Sequence, residues 1–135
     1  MNFSRSLLAP ALLIPLLLSG CSAPDEIAMI DCSKSVIRPT EITTYCADAG
    51  QIIQNIKWSK WNEDEALGTG VAYTNNCEPS CVAGQIIKNA VKLKLNAPMD
   101  TNEGLLYTNL EISYLEPLEN HPMVEELELP TAFID

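Results

Sequence analysis

The chain has 135 residues with 8 basic and 18 acidic side chains, which gives a formal net charge of −10. This negative charge repels phosphate backbones and excludes a nucleic acid as the partner. The length suits one domain and is too short for two. Because His121 is the one histidine, a site built from several histidines is also excluded.

The first 20 residues have the pattern of an export signal. Arg5 gives a positive start, and an apolar run from residue 7 ends at Leu18-Ser19-Gly20-Cys21. As a helix this run would be about 18 Å long, shorter than a bilayer core of about 30 Å. The sequence therefore predicts a cleaved signal peptide (1–20) and lipidation of Cys21. The alternative is an ordinary secretory signal, with Cys21 in a disulfide.

We expect three regions in the exported chain, whose net charge would be −11 because Arg5 is lost and all acids remain. A polar tether covers 21–33 and would hold the domain close to the membrane. A β domain covers 34–115, and an acidic tail covers 116–135. From Glu111 onward there are seven acids and no base, which predicts a solvated tail. An arm that recruits a cationic partner is the alternative.

The body of the chain is predicted to be mainly β. Residues 41–46 and 68–74 are rich in β-branched and aromatic side chains, which favour strands. Residues 51–61 fit either a helix or a strand. Strict alternation of apolar and polar side chains predicts strands at 91–96 and 106–114, joined as an antiparallel hairpin. In this hairpin Lys92 and Lys94 would face Glu111, and Tyr107 would lie on the polar face. The predicted fold is a small antiparallel sandwich or barrel-like domain.

Four cysteines remain in the exported chain: Cys32, Cys46, Cys77 and Cys81. An even number in an oxidising compartment predicts two disulfides, and three pairings are possible. Our hypothesis links Cys46 to the Cys77/Cys81 loop and Cys32 to the remaining thiol. A Cys77–Cys81 bond is the least attractive pairing because its loop would be very small. A zinc site is disfavoured because one pair alone has the usual ligand spacing.

Four short motifs follow one another in an order that carries a resemblance. They are Cys46-Ala-Asp-Ala-Gly50, Ile56-Lys-Trp-Ser-Lys-Trp61, Ala66-Leu-Gly-Thr-Gly70 and Asn76-Cys-Glu-Pro-Ser-Cys-Val-Ala-Gly84. Over about residues 37–115 the chain resembles a family of small exported and lipid-anchored proteins common in actinobacteria. The chain departs from that pattern at Val82, where alanine is usual, and in its acidic tail. The resemblance implies export and a compact domain, and it implies no reaction.

The sequence offers few candidate functional residues. Trp58 and Trp61, three residues apart, could line a ligand groove together with Asp48. Core packing of the tryptophans and a turn at Asp48 are the interpretations we favour. Acidic residues are plentiful, but their spacing selects no catalytic pair. We therefore name no catalytic residue, metal ligand or cofactor.

These observations favour a non-catalytic binding or scaffold domain of a bacterial lipoprotein. We expect it to be exported and lipid-anchored to the outer face of the cell membrane, or to the periplasmic face of an envelope membrane. Its acidity suits a basic envelope protein or a cell-wall component as partner. The alternatives are a small envelope hydrolase that uses paired carboxylates, such as a carbohydrate-active enzyme, and an acidic inhibitor or immunity-type lipoprotein.

Overall fold

A computed structural model describes residues 26–133, which fold into a domain of antiparallel sheets curled into a half-barrel. The predicted fold class is confirmed. The predicted signal peptide and Cys21 lie outside the described residues. The strands are β1 Met29–Asp31, β2 Lys34–Val36, β3 Ile42–Thr43, β4 Gln51–Trp61, β5 Ala66–Asn75, β6 Ile86–Thr101, β7 Gly104–Tyr114 and β8 Val124–Glu128.

Six strands form the main sheet in the order of the chain, from β3 to β8, and each is antiparallel to the next. The other two, β1 and β2, form a hairpin. The ambiguous segment at residues 51–61 is entirely strand, and its bulges interrupt the pairing with β5. One face of the main sheet carries the core because apolar side chains alternate along β4, β6 and β7.

The predicted hairpin of β6 and β7 is confirmed. Val91 pairs with Tyr114, Leu93 with Ile112, and Leu95 with Leu110, and all six side chains are buried. Lys94 pairs with Glu111 and Lys92 with Ser113 on the opposite face. The period-two pattern therefore identified the buried face over these residues, and of the two lysines expected opposite Glu111, Lys94 pairs with it directly.

The face expected for Tyr107 is wrong. Its side chain is fully buried in the main core, and Leu106 beside it is buried on the other face against Ala28. The alternation inverts near Thr108, which lies opposite Ala97 in β6. Ala97 has φ of 53°, outside the extended region, so the two strands do not keep an even pleat there.

Residues 27–33, which the sequence assigned to the tether, are part of the domain. Residues 27–30 are buried. Ala28 makes two backbone hydrogen bonds to β7, in the part of β7 that precedes its pairing with β8. The indole N–H of Trp61 donates to the Ile27 carbonyl at 2.9 Å. A polar composition on both sides of this short apolar run led to the wrong boundary.

The solvated-tail interpretation is wrong for residues 124–128. These residues form β8, which pairs with residues 109–113 of β7. Leu127 and Leu129 pack against the main core, while Glu126 and Glu128 are exposed. Two apolar side chains among the glutamates are thus sufficient to attach the acidic segment as an edge strand.

Both disulfides exist, but the pairing hypothesis is wrong. Cys32 is bonded to Cys46, and Cys77 to Cys81, with Cα–Cα distances of 5.5 Å and 3.7 Å. The first pair forms because the turn between β1 and β2 lies against β3, where Asp31 accepts a hydrogen bond from the Thr43 N–H at 3.1 Å. Sequence reasoning treated this N-terminal region as a tether and so could not place Cys32.

The disulfides indicate an oxidising, extracytoplasmic environment, as we expected for an exported chain. Since all four sulfurs are bonded in pairs, none is a free thiolate that could hold zinc. Within residues 26–133 there is no helix with the length and apolar character needed to cross a membrane.

Candidate functional site

A cleft of about 520 Å³ opens at the end of the half-barrel where β4 begins and β5 ends. This volume lies within the range of small-molecule sites, about 300–1,000 Å³. The cleft lies between the loop that joins β5 to β6 and the connection from β7 to β8. The residues that line it are Thr74, Asn75, Asn76, Glu78, Ile87, Leu118, Glu119, Asn120 and His121.

Asparagine side chains shape both walls of the cleft. Asn75 Oδ1 accepts from the Cys77 N–H at 2.9 Å, and its Nδ2 donates to the Cys81 carbonyl at 2.8 Å. Asn76 Oδ1 accepts from the N–H groups of Glu78 and Gln85 at 3.1 and 2.9 Å. These bonds hold the loop backbone, so the two amides are structural.

The opposite wall is held by Asn89, a buried polar residue of β6. Its Nδ2 donates to the Glu116 carbonyl at 2.6 Å, and its Oδ1 accepts from the Glu116 N–H at 3.3 Å. A buried amide that bonds to both the N–H and the carbonyl of one residue fixes the start of the β7–β8 connection. The segment that carries Leu118 to His121 is thereby positioned over the open end.

Beside the cleft, Glu125 accepts hydrogen bonds from two tyrosines. The Tyr114 hydroxyl donates to Oε2 at 2.8 Å, and the Tyr45 hydroxyl donates to Oε1. Gln51, which is fully buried, donates from Nε2 to the Tyr114 hydroxyl at 2.6 Å and to the Thr74 hydroxyl at 2.9 Å. A continuous hydrogen-bonded network therefore runs from Glu125 to the wall of the cleft.

The network keeps its tyrosines neutral over an unusually wide range of pH. The hydrogen bond to Glu125 raises the pKa of Tyr45 to about 12, with burial adding to the effect. Burial raises the pKa of Tyr114 above that of Tyr45, and the hydrogen bond to Glu125 acts in the same direction. Both hydroxyls thus remain donors to the carboxylate, and neither is a base near neutral pH.

His121 lies at the edge of the cleft and is held on both sides. Its Nε2 is 3.6 Å from Glu125 Oε2, and its Nδ1 is 3.0 Å from the Pro122 carbonyl oxygen. The ring also contacts Tyr114 edge to face, at 4.8 Å between centroids. Because both ring nitrogens face acceptors of the protein, the geometry fits a positioned donor better than a catalytic base.

The groups that remain for a ligand are acidic and polar. Glu78, Glu119 and Asn120 are exposed along the rim, while Ile87 and Leu118 provide apolar surface. None of the nine described residues that line the cleft is Lys or Arg. Carboxylates with an adjacent amide and a short apolar wall suit an ammonium or guanidinium group on an alkyl chain.

The ligand-contact candidates from the sequence do not lie at this cleft. Trp58 donates from Nε1 to the Pro39 carbonyl at 2.8 Å, and its ring packs on Gly68, where a Cβ would come within 2.8 Å. Trp61 stacks edge to face on Trp58 and Tyr107, at 4.8 and 5.4 Å. Both indoles hold the N-terminal segment against the core.

Asp48 is likewise a structural residue. Its Oδ1 accepts a hydrogen bond from the Gly50 N–H at 3.0 Å, in the turn that leads from β3 into β4. Asp48 therefore has the role that the sequence analysis favoured over ligand contact.

The network around Glu125 is the site that sequence reasoning missed. Its members come from five separate segments: the loop before β4, the start of β4, the end of β5, the end of β7 and β8. No local spacing relates Tyr45 to Glu125. One signal was present, because the one histidine and Glu125 lie four residues apart in a segment that also contains three prolines.

A second, smaller cleft of about 170 Å³ lies between β3 and β8, above β1. It is lined mainly by core residues such as Met29, Ile42 and Leu127 and carries few free polar groups. Among residues 26–133, no three His, Cys, Asp or Glu side chains are arranged to hold a metal ion.

Comparisons of the chain with models of protein families, with curated proteins and with solved structures find no match.

Proposed function

We propose that this chain is a lipid-anchored binding domain of a bacterial envelope and that the cleft holds cationic groups of its partner. The partner is a basic envelope protein or another envelope component that carries amines or guanidinium groups. The observation that carries the proposal is the acidic rim of the cleft, formed by Glu78 and Glu119 on its two walls. Glu125 adds a third carboxylate behind His121.

The electrostatics support a cationic ligand. Acidic groups on both walls attract one charged group between them, and the cleft geometry places apolar side chains beside that position. Such complementarity accelerates association and is weakened by salt, over a Debye length of about 8 Å at physiological ionic strength. The surrounding hydrogen bonds pre-organise the walls, which lowers the entropic cost of binding.

The anchor is supported by the motif Leu18-Ser19-Gly20-Cys21 after an apolar run of signal-peptide length. Acyl chains on Cys21 would contribute about 0.8 kcal/mol for each buried methylene, so two or more chains hold a protein on a bilayer. The disulfides are consistent with the export that a lipoprotein requires.

Capture from envelope extract tests the cleft. The wild-type chain should retain a partner at low ionic strength and lose it as salt is raised. Glu78→Gln with Glu119→Gln should weaken capture severalfold, whereas the matched control Glu126→Gln with Glu128→Gln, at two exposed positions of β8, should not. Equal losses in both proteins would show that total charge matters and the cleft does not. Hydrolysis of a glycan or an ester by the purified chain would favour an enzyme instead.

The anchor has its own test. Intact mass of the protein from native membranes should show acyl groups on an amino-terminal Cys21, and Cys21→Ser should leave the protein unprocessed or released. An unmodified Cys21 in native membranes would refute the anchor without bearing on the cleft.

A further inference from the structure

Five lysines share the outer face of the main sheet, opposite the core. They are Lys57, Lys60, Lys88, Lys92 and Lys94, which we call the lysine face. They make up five of the seven basic side chains in residues 26–133. The clustering is notable because the chain as a whole is strongly acidic.

The strand register places these lysines together. Thr69 of β5 pairs with Lys57 on one side and Lys92 on the other, and Leu67 pairs likewise with Lys60 and Lys94. Directly paired residues in a sheet point to the same face. Ala66, Gly68 and Ala72 of β5 are buried and face the core. The residues of β5 that alternate with them therefore face outward, and so do the lysines paired with those residues.

The same sheet face changes sign toward β8. Lys94 pairs with Glu111 in β7, and Glu111 pairs with Glu126 in β8. Glu65, in the turn between β4 and β5, contacts Lys60 at 2.8 Å and Lys94 at 3.8 Å. Lys57, Lys88 and Lys92 take part in none of the salt bridges within residues 26–133.

The chain enters the domain beside the end of β4, the strand that carries Lys57 and Lys60. Ile27 is buried and accepts a hydrogen bond from Trp61, which follows Lys60 at the end of β4. Ile27 follows Cys21 by six positions, so the connecting chain can span at most about 20 Å. A lipidated Cys21 would therefore keep this end of the domain against the headgroups.

We propose that the lysine face docks on an anionic membrane surface, with phosphate headgroups between its lysines. This inference rests on the proposed lipid anchor, which would bring the surface within reach. The cleft lies on the core side of the sheet, and the lysine face lies on its opposite side. Docking through the lysines would consequently leave the acidic cleft directed away from the membrane and open to a partner.

Vesicle co-sedimentation tests the docking without the acyl chains. The protein is the chain from residue 21 to 135 with Cys21→Ser, which contains every described residue. It should bind vesicles of equal parts phosphatidylglycerol and phosphatidylcholine and dissociate from them as the salt concentration is raised. It should not bind vesicles of phosphatidylcholine alone. Each lysine near an anionic surface contributes about fivefold in affinity, so Lys57→Glu with Lys92→Glu should weaken binding at least about 25-fold.

Two further variants separate the face from the total charge. Glu65→Gln removes the acid from the lysine face and should strengthen vesicle binding. Lys34→Glu changes an exposed lysine of β2, outside the face, and should have little effect. Equal losses for Lys34→Glu and Lys57→Glu would overturn the inference, as would binding to a soluble phosphate polymer and not to vesicles. Failure of the anchor would appear in the mass of Cys21 and leave this assay unchanged.

Discussion

Replacing Tyr107 by Phe tests the account of the core because this side chain is fully buried beside Trp61. Its hydroxyl donates to the Asn62 carbonyl at the edge of the core. The substitution removes that bond and no ring atom. Near neutral pH it should lower the free energy of unfolding by about 1 kcal/mol, the usual net contribution of one hydrogen bond.

The same substitution should change how the free energy of unfolding depends on pH in the alkaline range. Burial raises the pKa of Tyr107 to about 12, against about 10 in the unfolded chain. Because the folded state favours the protonated form, this contribution is complete below pH 10 and is lost as the pH rises toward 12. Two pKa units correspond to about 2.7 kcal/mol, and about half of this is lost by pH 11.

Denaturant unfolding followed by tryptophan fluorescence measures both effects. Tyr45 and Tyr114 also have raised pKa values, so the wild type and Tyr107→Phe are compared at each pH and their difference isolates Tyr107. The wild type should be the more stable protein at pH 7 and should lose that advantage above about pH 11. Parallel stability profiles up to that pH would mean that the Tyr107 hydroxyl ionises as readily in the folded domain as in the unfolded chain.

Three other substitutions test the packing. Leu93→Asp should lower the free energy of unfolding by several kcal/mol, because it buries a charge without a partner. Lys92→Asp on the opposite face should lower it by less than about 1 kcal/mol. Similar values in denaturant unfolding would contradict the register. Replacing Cys32 and Cys46 together by Ser should lower the free energy of unfolding by about 3 kcal/mol, because their bond joins residues 14 positions apart and limits the unfolded chain. Non-reducing peptide mapping of the wild type should find this pair. Gln51→Leu should cost about 1–3 kcal/mol in thermal unfolding by removing the amide that donates to two hydroxyls, and an unchanged melting temperature would show that the network is not structural.

The sequence was sufficient to predict the elements whose patterns are local. Alternation alone identified the hairpin of residues 91–96 and 106–114 and the buried face of its paired residues from Val91 to Leu95 and from Leu110 to Tyr114. The same argument failed at Tyr107 because it assumes an even pleat, and the backbone at Ala97 departs from that geometry. A positive φ at an alanine has no signature in composition or periodicity.

The features that could not be predicted depend on contacts between distant segments. Cys32 reaches Cys46 because the end of β1 lies against β3, and the segment before β1 is held to the core by a carbonyl that accepts from Trp61. The network of Glu125 and Tyr45 joins positions 80 residues apart. Contacts of this kind form only in the folded chain, so the spacing of residues in the sequence does not predict them.

The position of β1 has a consequence for the order in which the domain can form. Ala28 is among the first described residues to be synthesised, yet it bonds to Leu105 and Tyr107 in the seventh of eight strands. The core therefore remains open until nearly the whole chain is available, and long-range closure of this kind slows folding. An incomplete chain would therefore not complete this core. That property suits the export that we propose, and it would leave the amino-terminal segment accessible to processing until the last strands are available.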